Sequence, residues 1–137
     1  MYDYFKTLTN KKDIGVVFCD ITGLKNTNDT QGHSAGDELI KNTYYCLKEE
    51  FADESIFRIG GDEFVIICDG IIEEVFNKKI NDLRKTFNDK KMIVAIGTEC
   101  RDRVAENVKK TIINAENKMY EEKNEWYKNN GDKANRR

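Results

Sequence analysis

Three carboxylates stand where chemistry is possible. Asp20 follows the apolar run Ile14 to Cys19, and the adjacent pair Asp62 and Glu63 follows Gly60 and Gly61. If the strand ending at Asp20 neighbours the hairpin carrying Asp62 and Glu63, the three converge above one sheet. Such a cluster repels itself unless a cation fills it. Hard oxygen donors suit Mg²⁺, which usually takes one or two protein carboxylates and completes its octahedron with phosphates and water. The same arrangement serves phosphoryl transfer, because a metal bridges phosphates, neutralises developing charge and helps activate an attacking hydroxyl. Glycines beside such a site have a use of their own, since a backbone without Cβ can approach a triphosphate closely. Taken singly, a G-G-D-E tetrapeptide is more often a solvated turn, and an aspartate after an apolar strand is commonly the start of a loop. Here both occur with D-x-x-x-x-K, N-D, G-H and G-D in order between Asp20 and Asp37.

The elements that must position these residues follow from periodicity. Ile14 to Cys19 (IGVVFC) is continuously apolar and β-branched, which predicts a buried central strand with Asp20 at its C-terminal end. The polar stretch DITGLKNTNDTQGH follows it. From Ser34 to Phe51 the positions Leu39, Tyr44, Leu47 and Phe51 mostly keep helical spacing, with Ser34 as N-cap. SIFRIGGDEFVIICDG reads as a hairpin in which Gly60 and Gly61 supply the positive φ of a tight turn. Ile71 to Phe87 is a helix with Ile72, Val75, Phe76, Ile80, Leu83 and Phe87 on one face. Met92 to Gly97 (MIVAIG) is a strand, and Val104 to about Lys128 a last helix carrying Val108, Ile112, Ala115 and Met119. Strand, helix, hairpin, helix, strand, helix predicts an α/β (α+β) sandwich, a mainly antiparallel sheet flanked by helices.

Composition narrows the function classes. A chain of 137 residues fits one compact domain. With 23 Lys+Arg against 25 Asp+Glu the net charge is -2, so no basic field holds a long polyanion and nucleic acid is disfavoured as partner. No run reaches the roughly 18 apolar residues of a membrane helix, and MYDYFKTLTNKKD lacks the pattern of a signal peptide, which reads as a cytoplasmic chain. Cys19, Cys46, Cys68 and Cys100 form no C-x-x-C pair, so reduced, mostly buried thiols are expected.

RIGGDEF (Arg58 to Phe64), preceded by CDITGLKNTNDTQGHSAGDELI (Cys19 to Ile40), resembles the GGDEF family of diguanylate cyclases. The resemblance continues through MIVAIG and AENKMYEEK (Ala115 to Lys123). It implies a palm-like sheet, a single domain over 1–128 and two GTP condensed into cyclic di-GMP; the polar composition of 129–137 predicts a frayed tail. It also implies a role for each matching residue. Asp20, the carbonyl of Ile21, Asp62 and Glu63 match the metal-binding positions, with Mg²⁺ as the ion and Mn²⁺ able to substitute. Asp62 matches the proposed base at the 3′-hydroxyl, Glu63 a further acidic residue at the metal, and Lys25 the lysine on the triphosphate. Asn28 and Asp37 match the residues that bond the guanine edge; guanine offers N1–H and N2–H donors together, which adenine does not. His33 matches a position near the nucleotide, with packing as the other reading. Lys123 matches a late phosphate-binding lysine, and Arg58 the arginine before the motif.

The sequence also departs from that pattern. Thr22 replaces a second aspartate, and Tyr127 stands where a phosphate-binding arginine usually follows the lysine, with Lys128 a possible substitute. Phe51 and Glu54 hold the R-x-x-D positions of the family's inhibitory product site, so no product inhibition is expected there. The segment that opens the domain in the family is missing, which reads as an excised or minimal domain. The product's symmetry implies a transient two-fold dimer, and relatives imply an attached sensor domain. The alternative is a degenerate domain that binds GTP as a regulatory or interaction module without turnover. A related nucleotidyltransferase with another product and a purely structural domain are further readings.

Overall fold

The computed structural model describes residues 13–102 and 108–130. Strand β1 (Asp13–Ile21) is central in a four-stranded antiparallel sheet of order β2-β3-β1-β4, with β2 Ser55–Arg58, β3 Glu63–Asp69 and β4 Val94–Asp102. Because β1 pairs on both edges and is covered on both faces, Ile14 to Ile21 is buried throughout. That is why its sequence is a continuous apolar run rather than an alternating one.

Alternation along the strands assigns the two faces. Val17, Cys19 and Ile21 of β1, with Phe64, Ile66 and Cys68 of β3, pack against helices α2 (His33–Glu50) and α3 (Glu73–Asp89). Ile14, Val16, Phe18, Val65 and Ile67 pack on the opposite face against α4 (Val108–Asn130) through Ile112, Ala115 and Met119. Each fully buried large side chain of this kind is worth about 1.5–3 kcal/mol. A Cβ added at Gly97 would overlap the backbone of Ala115 and Met119, so β4 and α4 touch main chain to main chain.

Several sequence expectations need correction. The polar stretch after Asp20 contains a helix, α1 (Leu24–Gln31), which has no buried residue and no side-chain cap, so periodicity had nothing to register. It lies against α2. Ser34 is not the N-cap of α2; Gly32 is, at φ 90, and no side chain caps the helix. The buried face of α2 is Gly36, Thr43, Cys46 and Leu47, while Tyr44 is 39% exposed; Ile72 and Val75 likewise face outward, leaving Phe76, Ile80, Leu83 and Phe87 as the core face of α3. Strand β4 starts two residues later than expected and runs on to Asp102, its polar end masked by its position at the sheet edge. Residues 104–107 of the expected last helix lie outside the described residues, as do 131–137 of the expected tail.

The cysteines are free thiols, with Cys19, Cys46 and Cys68 buried and Cys100 half-buried. Burial pushes Cys19 up to about 12 and Cys100 up to about 11, which holds them as unreactive thiols. Among the described residues no helix is long and apolar enough to cross a membrane.

Candidate active site

The site forms where β1 ends and β3 begins. Asp20 stands opposite Glu63 in the ladder, and by alternation both carboxylates fall on the α4 face. One residue further, the Ile21 N–H donates to the Asp62 carbonyl at 2.8 Å, which ties the hairpin loop to the end of β1. Ligand oxygens of Asp20, Asp62 and Glu63 all lie within 4.8 Å of one another. The convergence expected from sequence is therefore present.

The loop between β2 and β3 has a different cause from the one expected. Gly60 and Gly61 do not take positive φ; among the glycines of the described residues Gly32 and Gly70 do. Residues 59–62 make a four-residue connection rather than a two-residue turn, and such loops do not need the left-handed region. Arg58 gathers it instead, donating from Nε to the Gly60 carbonyl at 3.2 Å and from its terminal nitrogen to the Gly61 carbonyl at 2.8 Å. The Ile59 N–H closes the loop onto the Glu63 carbonyl at 3.0 Å. A Cβ at Gly61 would meet nothing within 4 Å, so the fold itself makes no steric demand for glycine there.

Electrostatically the cluster holds more negative than positive charge. Burial and the neighbouring Asp62 charge push the Asp20 carboxyl above the usual range, and Lys123 only partly offsets them. Glu63 is raised by burial and then by Asp20, Asp62 and Glu116. Lys123 Nζ lies 3.2 Å from Asp20 Oδ2. Burial is the largest single influence and would lower that ammonium, but the charge and hydrogen bond of Asp20, with Tyr127 and Asp62 behind them, together outweigh it and the net shift is upward. Asp20 Oδ1 and Glu63 Oε2 are buried without a hydrogen-bond partner. Unpaired carboxylate oxygens close together, buried and of one sign, are a donor set that fits a hard divalent cation.

The other candidate residues lie on α1, α2 and β2. Lys25 is exposed on the first turn of α1, with Asn28 about one turn further along. Asn28 Oδ1 is buried and unpartnered, and its side chain lies against Gly36, where a Cβ would overlap it. Asp37, the next residue on α2, is exposed. His33 is exposed at the start of α2, outside the core, which disfavours its packing reading. Arg58 is spent on the loop carbonyls. Beyond Asp37, a groove of about 420 Å³ between α2 and β2 is lined by Ile40, Lys41, Tyr44, Tyr45, Ile56, Arg58 and Phe64. Phe51 is fully buried and Glu54 is bonded to the Cys68 thiol. Tyr127 packs edge to face on Trp126, with ring centroids 5.2 Å apart.

Sequence reasoning missed Gly36 as the seat of Asn28, although the G-D pair at Gly36 and Asp37 was in view. It also missed the clasp on edge strand β4. There Glu122 accepts from the Ile96 N–H at 2.6 Å and pairs with Arg84 at 2.7 Å, and Arg84 donates to the Ile96 carbonyl at 3.3 Å. Residues so far apart in the chain leave no local signal.

Comparison with known proteins agrees with this geometry. The family model "Diguanylate cyclase, GGDEF domain" matches residues 4–129. Diguanylate cyclase A of Treponema denticola is 25% identical over 123 residues, covering 82% of this chain and 33% of the relative. The chain thus spans about a third of that protein's length. Among solved structures, the active GGEEF domain of a diguanylate cyclase from Vibrio cholerae superposes with TM-score 0.72 at 20% identity, over 95% of this chain and 84% of that one. The GGDEF domain of DgcB from Caulobacter crescentus, solved in complex with c-di-GMP, gives TM-score 0.72 at 20% identity over 95% and 80%. The palm-like fold expected from the sequence is the one these structures share, and with the family model matching almost from end to end, the chain belongs to the GGDEF domain family.

Proposed function

We propose that this domain is a diguanylate cyclase, condensing two GTP into cyclic di-GMP in the cytoplasm. The observation that carries the reading is the convergence of Asp20, Asp62 and Glu63 within 4.8 Å, with Asp20 Oδ1 and Glu63 Oε2 buried and unpartnered. In this reading Asp20, the Ile21 carbonyl, Asp62 and Glu63 hold Mg²⁺ or Mn²⁺. A bound divalent ion supplies neutralisation of the triphosphate charge and eases deprotonation of the attacking hydroxyl.

The chain's own residues do the rest. Asn28 and Asp37 bond the guanine edge, and a carboxylate at Asp37 favours guanine because it presents two adjacent donors. Lys25 faces the triphosphate as a compact cation. The bare backbone at Gly61 lets phosphates approach the loop, which supplies the reason for glycine that the fold does not. Asp62 accepts the proton of a 3′-hydroxyl as its oxygen bonds to the α-phosphate of the second GTP, and pyrophosphate leaves. The same step in the opposite direction closes the ring, so two copies must face each other with two-fold symmetry. A sensor domain in the parent protein would control that encounter.

A second reading, a GTP-binding module without turnover, is favoured by one observation. Tyr127, where relatives carry a phosphate-binding arginine, packs on Trp126 and brings no cation to the site. Incubating concentrated protein with Mg²⁺ and GTP or ATP, with products identified by chromatography and mass spectrometry, separates the readings. Cyclic di-GMP from GTP is the expected product. Bound but unconverted GTP would favour the module, and products from ATP would favour a different nucleotidyltransferase.

A further inference from the structure

Asp20 is nearly fully buried, and its two oxygens have different surroundings. Oδ2 accepts from Lys123 Nζ at 3.2 Å, while Oδ1 has no partner. Glu63, opposite Asp20 in the ladder, also keeps one buried oxygen unpartnered. Lys123 comes from α4, one turn beyond Met119, whose backbone lies against Gly97. The side chain is therefore delivered from a main-chain-to-main-chain contact of helix on strand, and it is only 27% exposed, against 3% for Asp20. A lysine placed only to meet phosphates would gain from reaching outward; this one is held inward on a metal-binding carboxylate.

We propose that Lys123 is a positioning residue for the metal centre: it ties down Asp20 Oδ2 and so leaves Oδ1 as the donor to a divalent ion shared with Asp62 and Glu63. The inference rests on the metal reading above and goes beyond it, since Lys123 was expected only to bind phosphate. Partners that orient a ligating group in this way typically govern metal affinity by about 10- to 100-fold.

Simple electrostatics makes the opposite prediction. Lys123 is a positive charge beside a cation site, so removing it without any positioning role should tighten metal binding, as unlike neighbours favour and like neighbours oppose a charge. The sign of the effect therefore decides the matter.

The test is Mn²⁺ binding in the absence of nucleotide, followed by the electron paramagnetic resonance of free Mn²⁺, on the parent, Lys123→Met and Lys123→Arg. Thermal melting of each variant checks the fold, and Lys123→Gln carries the same test if the methionine variant does not fold. The expected result is Mn²⁺ affinity lowered about tenfold or more in Lys123→Met, with Lys123→Arg closer to the parent. Unchanged or tighter binding in a folded Lys123→Met overturns the positioning role and leaves the metal reading standing. A parent that does not bind Mn²⁺, with nucleotide or without, overturns the metal reading and this role with it.

Discussion

Asp20 and Glu63 are direct cross-strand partners on β1 and β3, two acids opposed on the face covered by α4. Like charges in that relationship destabilise a sheet. The fold keeps the cost at the one place where the sheet ends in a loop of glycines. Glu63→Gln should therefore melt higher than the parent in the presence of a chelator. With Mg²⁺ added the order should reverse or the gap close, because the variant gains less from the ion. A variant that melts lower in chelator would argue that Glu63 serves the fold rather than the site.

Gly36 and Asn28 give a way to separate stability from base recognition. In Gly36→Ala the atoms nearest the new methyl all belong to the end of the Asn28 side chain, so the group displaced is a flexible one. Alanine in a helix is favoured over glycine by about 1 kcal/mol, which offsets the crowding. The expected outcome is near-parental stability with GTP affinity reduced about tenfold, the worth of one hydrogen bond. Calorimetric titration with GTP checks it, and unchanged affinity would remove Asn28 from the base site.

Gly97 should behave in the opposite way. A Cβ there meets the backbone of Ala115 and Met119, which cannot yield as a side-chain tip can. Gly97→Ala should cost about 1–3 kcal/mol in urea unfolding, the range for overpacking a core. Since Lys123 lies one turn past Met119, the same change should also loosen its pair with Asp20. Full stability in the alanine variant would contradict the close approach of α4 to β4.

A pH dependence follows from Glu99, which stands on β4 facing α4. Burial pushes its carboxyl up, but bonds from Lys118 at 3.1 Å and Arg101 at 3.2 Å outweigh burial and hold it below the usual range. A carboxyl lowered on folding contributes stability that is present above its unfolded value, about 4.3, and is lost as pH falls through the folded one. Glu99→Gln should thus be less stable than the parent by about 1–3 kcal/mol at neutral pH. The difference should close in acid, measured by urea unfolding across the range. A difference that persists at low pH would assign the effect to packing rather than charge.

How much of this was legible in the sequence depended on whether the deciding contact was local. The apolar run of β1, the acid at its end and the hairpin with its paired acids are short-range patterns, and they are enough to point to the cluster. Helix α1 was not legible because LKNTNDTQ has no fully buried residue and carries no capping side chain; it is held by its neighbour α2. The glycines of the loop were legible as a feature but not in their reason, since Arg58 rather than positive φ shapes the turn. The pair of Lys123 with Asp20 and the Arg84–Glu122 clasp join residues distant in the chain, where neither spacing nor propensity speaks. The resemblance to known cyclases named Lys123 but pointed it at phosphate, and only the fold turned it toward Asp20.

The central claim is that the three carboxylates at the end of β1 and the start of β3 carry out GTP condensation. Its most direct test compares cyclic di-GMP formation by the parent and by Asp62→Ala/Glu63→Ala at the same high protein concentration, with GTP and Mg²⁺ and with both proteins shown to melt as folded domains. The account predicts cyclic di-GMP from the parent and none from the variant. Equal product from both would contradict it, and so would a parent that binds GTP and Mg²⁺ yet makes nothing.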